Sequence, residues 1–140
     1  MTDTSAPPRP DLRGRADVAR LVDQFYATAT ADPVIGWIFT DVARLDLPAH
    51  LPVMYDFWES ILFGARSYRG GAMQVHLALN QKTPLTAEHF ARWIGIFNAT
   101  VDAQFCGPAA ERAKEKAGYI AASMQMRLAA ARGEAQAAHG

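Results

Sequence analysis

Three stretches of this chain repeat apolar side chains at the period of an α-helix, and none alternates at the period of a strand. Val18, Leu21, Val22, Phe25 and Ala29 recur at i, i+3, i+4, i+7 and i+11. On a helix of about 3.6 residues per turn this gathers them into one stripe, with Tyr26 on the same face. His50, Met54, Phe57, Trp58 and Ile61 form a second stripe, and Phe90, Trp93, Ile94, Phe97 and Val101 a third. No stretch alternates apolar and polar residues with β-branched enrichment, and no hairpin dipeptide joins two such runs. Helices of this kind bury their stripes only against one another. The expected fold class is therefore all-α, a helical bundle with its aromatic residues turned inward.

Punctuation residues set the expected boundaries. The first main helix spans about Arg15 to Thr30 and stops at Asp32 and Pro33, because a proline ring disfavours helical geometry at the residue before it. A short turn, Val34 to Phe39, then carries Phe39 inward. Pro48 suits the first turn of the next helix, which runs to about Phe63 and closes at Gly64. A short helix of about Ala72 to Leu79 follows, and Thr86 is placed to cap a fourth. Gly107 and Pro108 precede a final helix of about Ala109 to Ala131. Residues 1–14 contain Pro7, Pro8 and Pro10 without an apolar period and are expected to be a flexible leader. Residues 15–132 then make one domain, and residues 133–140 a flexible tail. A chain of 140 residues is long enough for one sizeable core and too short for two.

Composition excludes several classes of partner. Lysine plus arginine and aspartate plus glutamate number 14 each, and the basic residues are scattered along the chain without a long run. Nucleic acid is not an expected partner, since phosphate binding needs a concentrated basic surface. No apolar run approaches the length of a membrane span, and MTDTSAPPRPDLRGR lacks the apolar centre of a signal peptide. A cytoplasmic location follows as the expectation. Cys106 is the single cysteine, flanked by Phe105 and Gly107 with no thiolate-stabilising charge, and reads as a small buried or interfacial residue.

His76 carries the chemistry. It sits in YRGGAMQVHLAL, a short helical segment opened by glycines, where an imidazole can point into a pocket. Taken alone, a histidine on an apolar face is more often a hydrogen-bonded core residue than a ligand. Tyr26, His50, His76 and Trp93, however, bring four polar tips to inward faces of four helices, and one ligand in a common cavity could satisfy several of them. Zinc is the weaker candidate: it wants three or four nitrogen or sulfur donors, and the chain has no HExxH and no histidine pair at i, i+4. Haem asks for one axial ligand and an apolar slot. Asp41 and Asp46 fall in a loop and Asp56 and Glu59 on a polar face, which suits solvated carboxylates. On the residues alone, a haem pocket and the ordinary core of a cofactor-free helical interaction protein both stay open.

Four blocks in order, FYATATADPVIGWIF, HLPVMYDFWESILFG, YRGGAMQVHLAL and HFARWIGIFNAT, resemble the successive motifs of the group III truncated haemoglobins, small bacterial 2-over-2 globins. The resemblance covers about Val18 to the final helix. It implies a truncated globin fold around haem b, with His76 as the proximal ligand of the iron. It makes Tyr26, His50 and Trp93 the distal residues that stabilise a bound ligand, and Phe39 the aromatic residue stacked on the haem. Met54, Phe57, Trp58 and Val75 become walls of the haem slot, and Arg66, Tyr68 and Arg69 lie in the loop expected to meet the propionates. The implied activity is binding of O2, NO or CO at ferrous haem, as a carrier, an NO-detoxifying dioxygenase served by an unidentified reductase, or a peroxidase-type enzyme. Trp37 and Tyr55 are surface aromatics compatible with a monomer or a weak dimer. The chain departs from the family at Trp37 and Ala72, where proline is frequent, and near Leu47, where a tryptophan is usual. These departures bear on the haem edge and on the mobility of His50.

Overall fold

The computed structural model describes residues 9–139, apart from the side chains of residues 73, 132 and 134–139. Five helices follow one another: α1 (Arg15–Thr30), α2 (Leu47–Phe63), α3 (Ala72–Lys82), α4 (Ala87–Gln104) and α5 (Pro108–His139). No strand occurs among the described residues. α1 packs on α2, α4 packs on α5, and the two pairs meet through α1 and α4, which makes a 2-over-2 sandwich. α3 lies to one side, chiefly against α5.

The stripes seen in the sequence build this core. Val18 and Leu21 of α1, Phe97 and Val101 of α4, Phe105, and Leu128 of α5 are its largest fully buried side chains. α5 turns Ala110, Ala113, Ala117 and Ala121 inward, and side chains this small let neighbouring helices approach closely. Thr86 caps α4 with a reciprocal pair of bonds. Its hydroxyl accepts from the His89 N–H at 3.2 Å, and His89 Nδ1 accepts from the Thr86 N–H at 3.1 Å.

The turn after α1 is more ordered than its sequence suggests. The buried carboxylate of Asp32 accepts from the N–H groups of Val34 (2.9 Å) and Ile35 (3.1 Å) and from the Arg92 guanidinium on α4 (2.6 and 2.9 Å). The Arg92 hydrogen bond is the main cause that holds the Asp32 carboxyl below its ordinary range. A Cβ at Gly36 would stand 2.5 Å from the Thr30 carbonyl oxygen, so only glycine lets the turn fold back on the end of α1. The expected short turn to Phe39 is thus helical, and it runs into a π-helical turn, Ile38–Val42.

Three expectations change. Residues 1–8 of the leader lie outside the described residues, but residues 10–12 are packed. Leu12 is buried, the Pro10 carbonyl accepts from the Cys106 N–H at 2.9 Å, and the Asp11 carboxylate accepts from the N–H groups of Ala109 (3.0 Å) and Ala110 (2.8 Å). Asp11 therefore caps α5 from the far end of the chain, satisfying donors that the helix itself leaves unpaired. Gly107 makes room for it: its φ is +139°, and a Cβ there would meet the Asp11 carboxylate at 2.6 Å. Cys106, expected to be buried or interfacial, has an exposed side chain, because the Phe105 beside it takes the inward position. The expected tail from residue 133 is helical as far as His139, and residue 140 lies outside the described residues.

Candidate functional site

All five helices wall a single apolar cavity, with about 1020 Å³ of empty space counted out to its open mouth. α1 contributes Phe25 and Tyr26, the π-helical turn Phe39, α2 Met54, Phe57 and Trp58, α3 His76, and α4 Trp93 and Phe97. Trp58 and Phe97 stack at 4.8 Å and 22°, and Trp93 and Phe97 at 5.9 Å and 21°. This continuous aromatic face fixes one wall. Phe25 closes its edge against Tyr26, Trp93 and Phe97.

The polar atoms on the walls are few and specific. His76 Nδ1 lies 2.7 Å from the Ala72 carbonyl oxygen, one turn back on α3. A carbonyl only accepts, so Nδ1 carries the proton and the Nε2 lone pair is left free on a cavity-lining side chain. Fixing a ligating imidazole through its second nitrogen is the usual device of metal-binding histidines. The Trp93 indole N–H has no hydrogen-bond partner among the described residues, although the ring lines the cavity. The Tyr26 oxygen lies 2.9 Å from His50 Nε2, with the two rings edge to face at 5.1 Å. Burial pushes the Tyr26 phenol well above its ordinary range, so it stays protonated. Burial, and then the charge of His76, hold His50 below the ordinary histidine value.

Of the residues singled out in the sequence, Tyr26, Phe39, Met54, Phe57, Trp58, His76 and Trp93 line this cavity. Four do not. His50 stands behind Tyr26, half-buried, rather than in the wall. Val75 is 63% exposed, because one step along a helix from His76 turns a side chain about 100° away. Arg66 is exposed, and Tyr68 rests its ring on Phe57 at 5.0 Å, behind the wall. Sequence reading missed His89, Leu85, Ile120 and Met124, which do line the cavity. His89 left a usable signal, since it sits one turn ahead of Trp93 on the same face. Ile120 and Met124 left little, because α5 is too rich in alanine for a strong stripe.

The donor set decides what the cavity suits. No group of three histidine, cysteine, aspartate or glutamate side chains assembles among the described residues, so the donors a zinc site needs are not brought together there. One free imidazole nitrogen in an aromatic slot matches the single protein ligand that haem requires.

No protein-family model matches the chain, and no curated protein matches it in sequence. Among solved structures, the group III truncated hemoglobin from Campylobacter jejuni superposes with a TM-score of 0.75 at 23% identity, covering 86% of this chain and 94% of that one. The two share an all-helical fold over most of their lengths, and the protein has the truncated-haemoglobin fold.

Proposed function

We propose that this protein binds haem b in the cavity, with His76 as the axial ligand, and uses it to bind a diatomic gas. The observation that carries this reading is the His76 imidazole, whose Nδ1–H is fixed on the Ala72 carbonyl while Nε2 is free on the cavity wall. Trp58, Phe97 and Trp93, stacked on one another, and Phe39, Met54 and Phe57 supply the apolar and aromatic lining that a haem slot needs. When bound, haem supplies an iron with one coordination position for O2, NO or CO.

The chain's own task is to orient and stabilise the gas. Trp93, whose indole N–H has no partner among the described residues, and Tyr26, whose hydroxyl is neutral, both line the cavity. A hydrogen bond from either to a polarised ligand contributes about 1–3 kcal/mol, or roughly five- to hundred-fold in dissociation rate. The same two donors suit NO dioxygenation, in which NO, O2 and one electron give nitrate, and reduction of a peroxide. Both need an electron donor, which a partner reductase would supply. The fold shared with the Campylobacter jejuni truncated hemoglobin supports the globin reading, and the cavity chemistry of this chain supports it independently.

An optical spectrum of the purified protein, reduced and then exposed to CO or O2, tests the proposal. A Soret band that moves with the gas is expected. Absence of any Soret band after haem is added would leave a cofactor-free helical interaction protein. His76→Gly should lose the band, and added imidazole should restore it, which separates loss of a ligand from loss of the fold. Nitrate formed from NO in the presence of O2 and a reductant tests the dioxygenase activity.

A further inference from the structure

Tyr26 has one hydroxyl proton and two places to send it. One is His50 Nε2 at 2.9 Å, and the other is the cavity that the Tyr26 ring lines. His50 is half-buried and does not itself line the cavity, so in this arrangement it reaches a ligand only through Tyr26. The oxygen–nitrogen separation suits a bond in either direction. If Tyr26 donates, His50 must hold its proton on Nδ1, and the cavity faces only the lone pairs of the tyrosine oxygen. If His50 donates from Nε2, the Tyr26 oxygen accepts, and its O–H turns into the cavity. These two states present opposite chemistry to whatever enters.

From this geometry we infer that the Tyr26–His50 bond is a reversible switch of proton direction, set by whether the cavity holds a hydrogen-bond acceptor. His50 is then a positioning residue for Tyr26. The inference rests on the haem-globin reading for the identity of the ligand, and it concerns which gas the distal side favours.

With no acceptor present, an O–H aimed into apolar space would be left unsatisfied, and burial makes that costly. The tyrosine therefore donates to His50, whose Nδ1–H can be met by water on its exposed side. When a good acceptor such as O2 occupies the cavity, reversing the bond gives the Tyr26 O–H a partner and keeps the His50–Tyr26 contact. A poor acceptor such as CO gains too little to reverse it. His50 thus changes tautomer without changing charge. The groups acting on it are consistent with a neutral ring: Tyr26 from α1, His76 across the cavity on α3, and Asp46 on its own helix, whose backbone carbonyl accepts from the His50 N–H at 2.8 Å. No carboxylate contributes to its shift. The switch therefore favours acceptor ligands over non-acceptors of the same size, which apolar packing alone does not achieve.

Nitrogen-15 NMR of histidine-labelled full-length protein reads the tautomer directly. In the haem-free protein at mildly alkaline pH, His50 should be mainly Nδ1–H, and Tyr26→Phe should shift that ratio towards Nε2–H. In the loaded protein, His50 should be Nε2–H with O2 and Nδ1–H with CO. In stopped-flow measurements, His50→Leu should raise the O2 dissociation rate about tenfold and leave CO within about twofold. His50→Gln, whose amide can donate or accept by rotating, should restore O2 retention to within about threefold of the wild type. The same tautomer with O2 and CO, a haem-free tautomer indifferent to Tyr26→Phe, or equal effects of His50→Leu on both gases would overturn the switch. Failure to take up haem would instead overturn the reading on which it rests, and the haem-free measurement would still report on the Tyr26–His50 coupling.

Discussion

α3 and α4 face the same cavity but are held in opposite ways. α4 buries Phe90, Ile96, Phe97, Thr100 and Val101, starts from a closed capping box, and packs on both α1 and α5. α3 starts from two glycines in left-handed geometry with no side-chain cap, and its one buried described side chain is Asn80. His76, the candidate iron ligand, is on the weakly held helix, and Trp93, the candidate hydrogen-bond donor, is on the strongly held one. Hydrogen bonding to a small ligand tolerates little displacement of the donor, whereas a ligand–metal bond can draw its own helix into place. The contrast teaches that the fold itself holds the α4 wall of the cavity firmly and the α3 wall weakly.

The largest test of this contrast compares one substitution in each helix. His76→Ala should abolish the haem Soret band while changing the urea midpoint of the haem-free protein less, because His76 lines the cavity and is not among the buried core residues. Phe97→Ala, which removes the ring between Trp58 and Trp93, should destabilise the haem-free fold by about 3–5 kcal/mol in urea unfolding. Equal losses of stability in the two variants would break the comparison.

Hydrogen exchange sharpens it. Amides of α3 in the haem-free protein should exchange through local opening, much faster than those of α4, and haem should slow α3 selectively. Uniform protection would show that α3 has support of its own. A smaller effect is expected at the α5 cap, where Asp11→Ala should lower stability by about 1 kcal/mol with no change in the spectrum of the loaded protein.

The smallest effect is one of pH. His50 has its folded pKa held below the ordinary value of 6.5, first by burial and then by His76. Its neutral ring is favoured in the fold, so this contribution to stability is fully present above about pH 6.5 and is lost as pH falls from there through the lowered folded value. Thermal midpoints of the haem-free protein should decline over that window, less so in His50→Gln. Midpoints that rise on acidification would reverse the assignment.

Much of the fold was legible because the chain is locally consistent. Each apolar stripe, the Pro48 start, the Gly64 stop and the Thr86 cap point to the same helices that form. The cavity was legible where a residue shares a strong stripe, as Tyr26, Phe57, Trp58 and Trp93 do. His50 fell on such a stripe and still lies outside the wall, because periodicity gives the face of a helix and not which neighbour covers it. Val75, Arg66 and Tyr68 were placed by resemblance, and their positions depend on helix rotation and on the course of the 64–71 loop.

By itself, the sequence determined that the chain is all helical, where most helices begin and end, and that His76 is a histidine with an inward face available. These are local properties, fixed by periodicity and by residues that start or stop a helix within one turn. The tertiary structure alone decided that Asp11 caps α5 across the length of the chain, that Asp32 ties the first turn to Arg92, and that Tyr26 meets His50. Those pairings join residues far apart in sequence, and only the packing of whole helices brings their polar atoms within hydrogen-bonding distance.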